Sequence, residues 1–177
     1  MCFKLRLFVA VNFSEDAIMR LASLRDVLRG KSKSGSFTLT ENLHLTLVFI
    51  GECSGKQAEI IKSVMKEINI EPFEIVFDRI GRFKRDGGDI WWVGLGDCKP
   101  LLDLQHSLSD KLTAAGFDLD KRAYSPHITI GRKVLTSVKP HSIDRIHEQV
   151  SSIDLMKSER INGKLTYTSI FTKKLSS

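Results

Sequence analysis

Two tetrapeptides in this chain carry the residue types from which proton-transfer chemistry is built: His44-Leu45-Thr46-Leu47 and His127-Ile128-Thr129-Ile130. In each, histidine and threonine stand two residues apart, with aliphatic residues at the alternate positions. Side chains alternate across a β-strand, so this spacing puts an imidazole and a hydroxyl on one face and leaves the other face for the core. An unperturbed imidazole titrates near ~6.5, so two histidines facing one ligand can include one neutral and one protonated ring near neutral pH. Such a pair suits a phosphate diester. In-line attack on phosphorus needs a base to take a proton from water and an acid to protonate the departing oxygen, each role contributing roughly 10²–10⁴ in rate. Threonine hydroxyls add donors for the non-bridging oxygens, where charge develops. Chance would give about a quarter of one H-x-T match in a chain with this many histidines and threonines, yet two occur, both on strand-like segments.

The surrounding pattern has to bring these strands face to face. Residues 5–13 are largely apolar and read as a buried strand, with Asn12 and Ser14 marking the start of a helix. Ile18, Leu21, Leu24 and Leu28 keep helical spacing up to Gly30, and the polar residues 31–36 read as a loop. A strand over 43–50 follows. A Ser54-x-x-Gln57 capping box then opens a helix carrying Ile61, Val64, Met65 and Ile68. Phe73, Ile75 and Phe77 alternate as a strand, and Gly87-Gly88 turns it into a partner over 90–95. Beyond Pro100 the order begins again. Leu101, Leu104, Leu108 and Leu112 mark a helix ended by Gly116, and a strand lies around 127–130. Ile143, Ile146 and Val150 predict a shorter helix, and Asn162-Gly163 joins apolar segments 153–156 and 165–171 as a hairpin. Each half reads helix, strand, helix, strand, strand, and a shift of 83 residues lays one histidine strand on the other. The expectation is an α+β fold: one two-lobed domain over residues 1–177, a duplicated unit whose antiparallel sheets line a central groove with helices outside.

Composition narrows the classes. A 42% hydrophobic and 27% charged chain of 177 residues is of ordinary globular type, which argues against disorder or a fibre. No apolar run approaches the ~18 residues of a membrane span, and Lys4 and Arg6 interrupt the N-terminus before a signal core forms, so a cytoplasmic protein without membrane contact is expected. Cys2, Cys53 and Cys98 are odd in number and far apart, giving neither a disulfide framework nor a thiolate metal site. His141 and His147 miss the i, i+4 spacing of a helical metal pair, His147-Glu148 lacks the second histidine of H-E-x-x-H, and His106 reads as a surface residue. The net charge of +6 favours a polyanionic partner. Phe83, Trp91, Trp92 and Tyr124 are candidates to stack on a base, although adjacent Trp91 and Trp92 must face opposite sides of a strand. Arg82, Lys84 and Arg85 form a basic cluster before the Gly-Gly turn.

The paired H-x-T-x tetrapeptides resemble those of the 2H phosphoesterase superfamily, and within it the RNA 2′,3′-cyclic phosphodiesterases also called 2′-5′ RNA ligases. Matching features run over nearly the whole chain: residues 6–10 (Arg-Leu-Phe-Val-Ala), 42–51 through the first motif, 124–132 (Tyr-Ser-Pro-His-Ile-Thr-Ile-Gly-Arg), and Ser158, Gly163 and Tyr167 near the end. The resemblance implies opening of a terminal 2′,3′-cyclic phosphate to a 2′-phosphate with no metal and no cofactor. His44 would be the proton donor and His127 the acceptor, with Thr46 and Thr129 holding the phosphate. Arg132 matches the basic residue that follows the family's second motif. Five residues beyond His127, a regular strand would point it away, unless Gly131, where the family usually has Ala, permits a bulge. The implied partner is RNA ending in a 2′,3′-cyclic phosphate, tRNA fragments among the candidates, bound by a monomer. Two rival readings are joining of RNA halves through a 2′-5′ bond, for which the same acid and base serve, and an RNA-binding module that has lost the chemistry. The intact histidines and threonines disfavour the latter.

Overall fold

A computed structural model of the chain describes residues 3–176. The first strand, β1 (Leu5–Val11), leads into helix α1 (Glu15–Gly30), where the Ser14 side chain accepts from the Ala17 N–H and Glu15 and Asp16 occupy the first turn. An edge strand β2 (Ser32–Phe37) and a single 3-10 turn (Thr40–Asn42) precede β3 (Leu45–Cys53). Helix α2 (Gly55–Lys66) begins at the reciprocal Ser54–Gln57 capping box, and the hairpin β4 (Phe73–Phe83) with β5 (Asp89–Leu95) follows. Helix α3 (Lys99–Ala114) then leads to four strands: β6 (His127–Thr136), β7 (His141–Val150), β8 (Ser152–Ile161) and β9 (Lys164–Lys174).

These strands form two antiparallel sheets, one ordered β3-β1-β8-β9 and the other β2-β6-β5-β4-β7. The sheets are interleaved along the chain. The β8–β9 hairpin, which closes at Asn162-Gly163, returns to pair with β1, whereas β4 and β5 pair with the later strands β6 and β7. Helix α1 packs on the β2/β6/β7 side, α2 on β3 and β9, and α3 between β3 and β4, so the helices cover the outer faces. Behind the sheets Leu7, Val9, Leu45, Phe77, Trp91, Val93, Leu104, Leu108, Ile128 and Ile130 make one continuous core, each large aliphatic side chain contributing about 1.5–3 kcal/mol by burial. Strand β1 is buried on both faces: Leu7 and Val9 join the main core, while Phe8 and Ala10 pack with Met156 and Tyr167 on the opposite side. Among the described residues no helix is long and apolar enough to cross a membrane. Cys53 and Cys98 are free thiols, and Cys2 lies outside the described residues.

Two expected elements differ. Residues 31–36 are mostly strand β2 rather than loop, because β6 offers its ladder and a polar, glycine-containing segment can take it as a solvated edge. The helix expected around Ile143, Ile146 and Val150 is strand β7. Its buried side chains are Ile146, Glu148 and Val150, an alternation masked by a carboxylate in the middle. Glu148 is buried because it accepts from the backbone N–H of Ser14 at 2.9 Å and from its hydroxyl at 2.6 Å, tying the start of α1 to β7.

Candidate active site

The two motif strands are built alike. From His44 the side chains run half-buried, buried, half-buried, buried, buried, exposed, and the run from His127 is the same. The paired buried positions mark a bulge in each strand. Val9 pairs with Val48 and Ala10 with Thr46, leaving Leu47 extra; Trp91 pairs with Gly131 and Trp92 with Thr129, leaving Ile130 extra. An extra residue turns the strand over, so the position five beyond each histidine returns to the histidine face. That position is Phe49 on β3 and Arg132 on β6, both exposed. The bulge expected near Gly131 is thus present. Gly131 itself faces the core, where a Cβ would lie 2.8 Å from Val134 Cγ2 and 3.2 Å from Phe37 Cδ1.

Both imidazoles are oriented by the same device. His44 Nδ1 donates to the Asn42 carbonyl at 2.7 Å, and His127 Nδ1 donates to the Ser125 carbonyl at 2.7 Å. Each ring therefore carries its fixed proton on Nδ1 and presents Nε2 for chemistry. His44 Nε2 lies 2.9 Å from Thr46 Oγ1. Among the described residues His127 Nε2 has no such partner. Each ring also rests on two aromatics: His44 on Phe8 (5.0 Å) and Tyr167 (5.1 Å, edge-on), His127 on Phe83 (5.1 Å, edge-on) and Trp92 (6.4 Å). The Trp92 ring spreads over Gly81 and Gly94, where a Cβ would fall 2.3 and 2.7 Å from it. Trp91 is wholly buried in the core, so of the two tryptophans only Trp92 shares the histidine face.

Strands β3 and β6 come into contact, and the two rings feel one another. Burial holds His44 below the usual imidazole range, the hydrogen bond to Asn42 works against that shift, and the charge of His127 adds to it. The Tyr167 hydroxyl is pushed up by burial and drawn back by the charges of Arg132 and Arg6. The charges of Arg132 on one sheet and Arg6 on the other thus both reach Tyr167, which packs against His44. Arg6 also lies over the Phe49 ring at 5.2 Å. Two imidazoles, one with its Nε2 against Thr46 Oγ1, two threonine hydroxyls and two guanidinium groups are a set matched to a phosphate.

The remaining candidates lie elsewhere. Arg82 is paired with Asp89 at 3.0 Å, and Lys84 and Arg85 are exposed at the β4–β5 turn. Tyr124 is not a free platform, since its hydroxyl donates to the Thr46 carbonyl at 2.8 Å. His106 faces Asp110 and His147 faces Glu74, both on the surface. Among the described residues no group of three or more His, Cys, Asp or Glu is placed to hold a metal ion. The sequence reading missed Phe8 and did not give Tyr167 or Arg6 a place at the site. Phe8 sits in an unbroken apolar run whose alternation disappears because β1 is buried on both faces.

Comparison with known proteins bears on what such a face does. Residues 13–166 match the family model of the 2′-5′ RNA ligase superfamily. Proteins named RNA 2′,3′-cyclic phosphodiesterase are similar over most of the chain: that of Methanothermobacter thermautotrophicus is 30% identical over 93% of this chain and 96% of its own length, and that of Methanocaldococcus jannaschii 30% identical over 95% and 93%. Among solved structures, Escherichia coli LigT complexed with 3′-AMP superposes with a TM-score of 0.88 at 22% identity, covering 99% of this chain and 100% of that one. TT0787 of Thermus thermophilus gives 0.84 at 23% identity, covering 96% and 97%.

Proposed function

The chain belongs to the 2′-5′ RNA ligase superfamily, and on that premise we propose that it hydrolyses the 2′,3′-cyclic phosphate at the end of an RNA to a 2′-phosphate, using His127 as base and His44 as acid. The observation that carries this reading is the pair of Nδ1-anchored imidazoles on matching bulged strands, each turning Nε2 to its motif's threonine side, that of His44 against the Thr46 hydroxyl. A water oxygen attacks phosphorus and gives its proton to His127 Nε2. The bond from phosphorus to the 3′ oxygen breaks, and that oxygen leaves with the proton from His44 Nε2 as a 3′ hydroxyl, while the bond to the 2′ oxygen is kept. Thr46, Thr129 and Arg132 would hold the non-bridging oxygens as charge builds on them.

An acid must carry its proton, and burial by the protein opposes this at His44. The substrate reverses the balance. A cyclic phosphodiester is an anion, and an opposite charge within about 4–6 Å favours the protonated imidazole. Both motifs and both aromatic pairs come from one chain, so the site is complete in a monomer. Because acid and base are side chains, turnover should survive EDTA.

The test is a short oligonucleotide ending in a 2′,3′-cyclic phosphate, incubated with the protein in EDTA and followed by phosphorus NMR. A 2′-phosphate product is expected. A 3′-phosphate product, or activity that requires a divalent ion, would overturn the reading.

A further inference from the structure

The strands that carry the histidines belong to different sheets, so something has to set the distance between them. Two hydrogen bonds cross from one motif strand to the segment leading into the other. Tyr124, three residues before His127, donates its hydroxyl to the Thr46 carbonyl on β3 at 2.8 Å. Thr38, six residues before His44, donates its hydroxyl to the Thr129 carbonyl on β6 at 2.9 Å. Thr46 and Thr129 are equivalent positions, each two residues beyond a histidine and next to a bulge, where the strand ladder is locally interrupted. The arrangement is reciprocal: the approach to each histidine is pinned to the threonine of the other motif.

Both ends are backed by buried structure. The Thr38 backbone N–H donates to the Ile130 carbonyl at 3.0 Å, continuing the β2–β6 pairing up to the point where the chain crosses to the other sheet. Buried Arg25 of α1 then grips the crossing, donating to the Thr38 carbonyl at 2.7 Å and to Thr40 Oγ1 at 3.0 Å. Buried Asn42 continues the hold, donating to the Leu165 carbonyl at 2.9 Å while its own carbonyl receives His44 Nδ1–H. On the other side, the Tyr124 ring packs against the main core and its hydroxyl is pushed up by burial, which keeps it a neutral donor.

We propose that Tyr124 and Thr38 are positioning residues that hold the two imidazoles at the spacing needed to serve one phosphorus atom in one step. This rests on the two-histidine reading above. Neither hydroxyl is aimed at substrate, since each is spent on a threonine carbonyl. Their effect should therefore show only when acid and base must act together. A displacement of about 1 Å from productive geometry can cost up to ~10²-fold in rate, so Tyr124→Phe and Thr38→Val should each lower kcat on the cyclic-phosphate oligonucleotide by about tenfold with KM changed less than about twofold. A nitrophenyl phosphodiester, whose leaving group departs without a proton, needs the base alone. It should lose less than about threefold in either variant. Thr38→Ser, which keeps the hydroxyl, should retain wild-type turnover on both.

A merely structural role would lower both substrates in parallel, and that result, or unchanged turnover of the oligonucleotide, overturns the proposal. His44→Ala and His127→Ala measured alongside separate the two failures. If they abolish oligonucleotide turnover while the Tyr124 and Thr38 variants do not alter it selectively, only the positioning proposal falls. If they do not, the two-histidine reading falls as well.

Discussion

The two motif strands share a burial pattern, a bulge and an Nδ1 anchor, yet their histidines stand in different surroundings. His44 is packed between Phe8 and Tyr167, its Nε2 touches Thr46, and its charged form is disfavoured. His127 lies nearer solvent, with Nε2 unengaged among the described residues. Five residues on, the first strand carries Phe49 and the second Arg132. A motif repeated on two sheets supplies two imidazoles in similar poses. Under the proposed mechanism, the difference in roles has to come from the neighbours and the bound phosphate, because the motif is the same on both strands.

The largest effect is expected where the halves are alike. His44→Ala and His127→Ala should each reduce kcat/KM on the cyclic-phosphate oligonucleotide by about 10²–10⁴, and near wild-type turnover in either would remove that half from the mechanism. Where the halves differ, the substitutions should not be equivalent. A hydrogen bond to a charged group contributes about 1.5–3 kcal/mol, so Arg132→Gln should lower kcat/KM by roughly tenfold or more, measured by steady-state kinetics. Phe49→Leu, which removes no charge, should change kcat/KM for a cyclic mononucleotide by about twofold. Equal losses would mean that the matching positions play matching parts.

A smaller effect lies in the pH profiles. If His44 acts with its proton on, as proposed, activity should be lost as pH rises through its pKa. Burial sets that pKa below the ordinary imidazole value in the free protein, and kcat/KM reports the free protein while kcat reports the complex. The alkaline arm of kcat should therefore lie at higher pH than that of kcat/KM, because the bound phosphate raises the His44 pKa. Coincident or reversed arms would remove the proton from His44. Smallest is the response to salt. With a net charge of +6, and Lys84 and Arg85 exposed immediately after Phe83, binding of an oligonucleotide should weaken with salt more steeply than binding of a cyclic mononucleotide. Equal slopes would confine recognition to the terminal phosphate.

Much of this was legible before any coordinates. H-x-T spacing and period-2 alternation pointed to both motif strands, with His127 opening β6 and His44 standing one residue before β3, Ser54 and Gln57 announced α2, and Asn162-Gly163 announced the last hairpin. Other features had no local signal. A buried Glu148 disguised β7 as a helix, because its partner Ser14 lies 134 residues away. The largely polar β2 is a strand because β6 offers it a ladder. Phe8 meets His44 through the pairing of β1 with β3, and Tyr167 through β8, which joins β9 to β1, so no window of sequence contains both ends of either contact. The bulges lay between these cases: Gly131 hinted at one, while the equivalent at Leu47-Val48 carries no glycine and is visible only in the register.

The division of labour between the histidines is tested most directly by exchanging the leaving group. A nitrophenyl phosphodiester departs as a stable anion and needs little protonation, so removal of the acid should matter far less for it than for the RNA substrate, while removal of the base should matter for both. His44→Ala should therefore recover a large part of wild-type kcat/KM on the nitrophenyl ester, and His127→Ala should stay impaired. Recovery of the His127 variant with continued impairment of the His44 variant would contradict the assignment of acid and base made here.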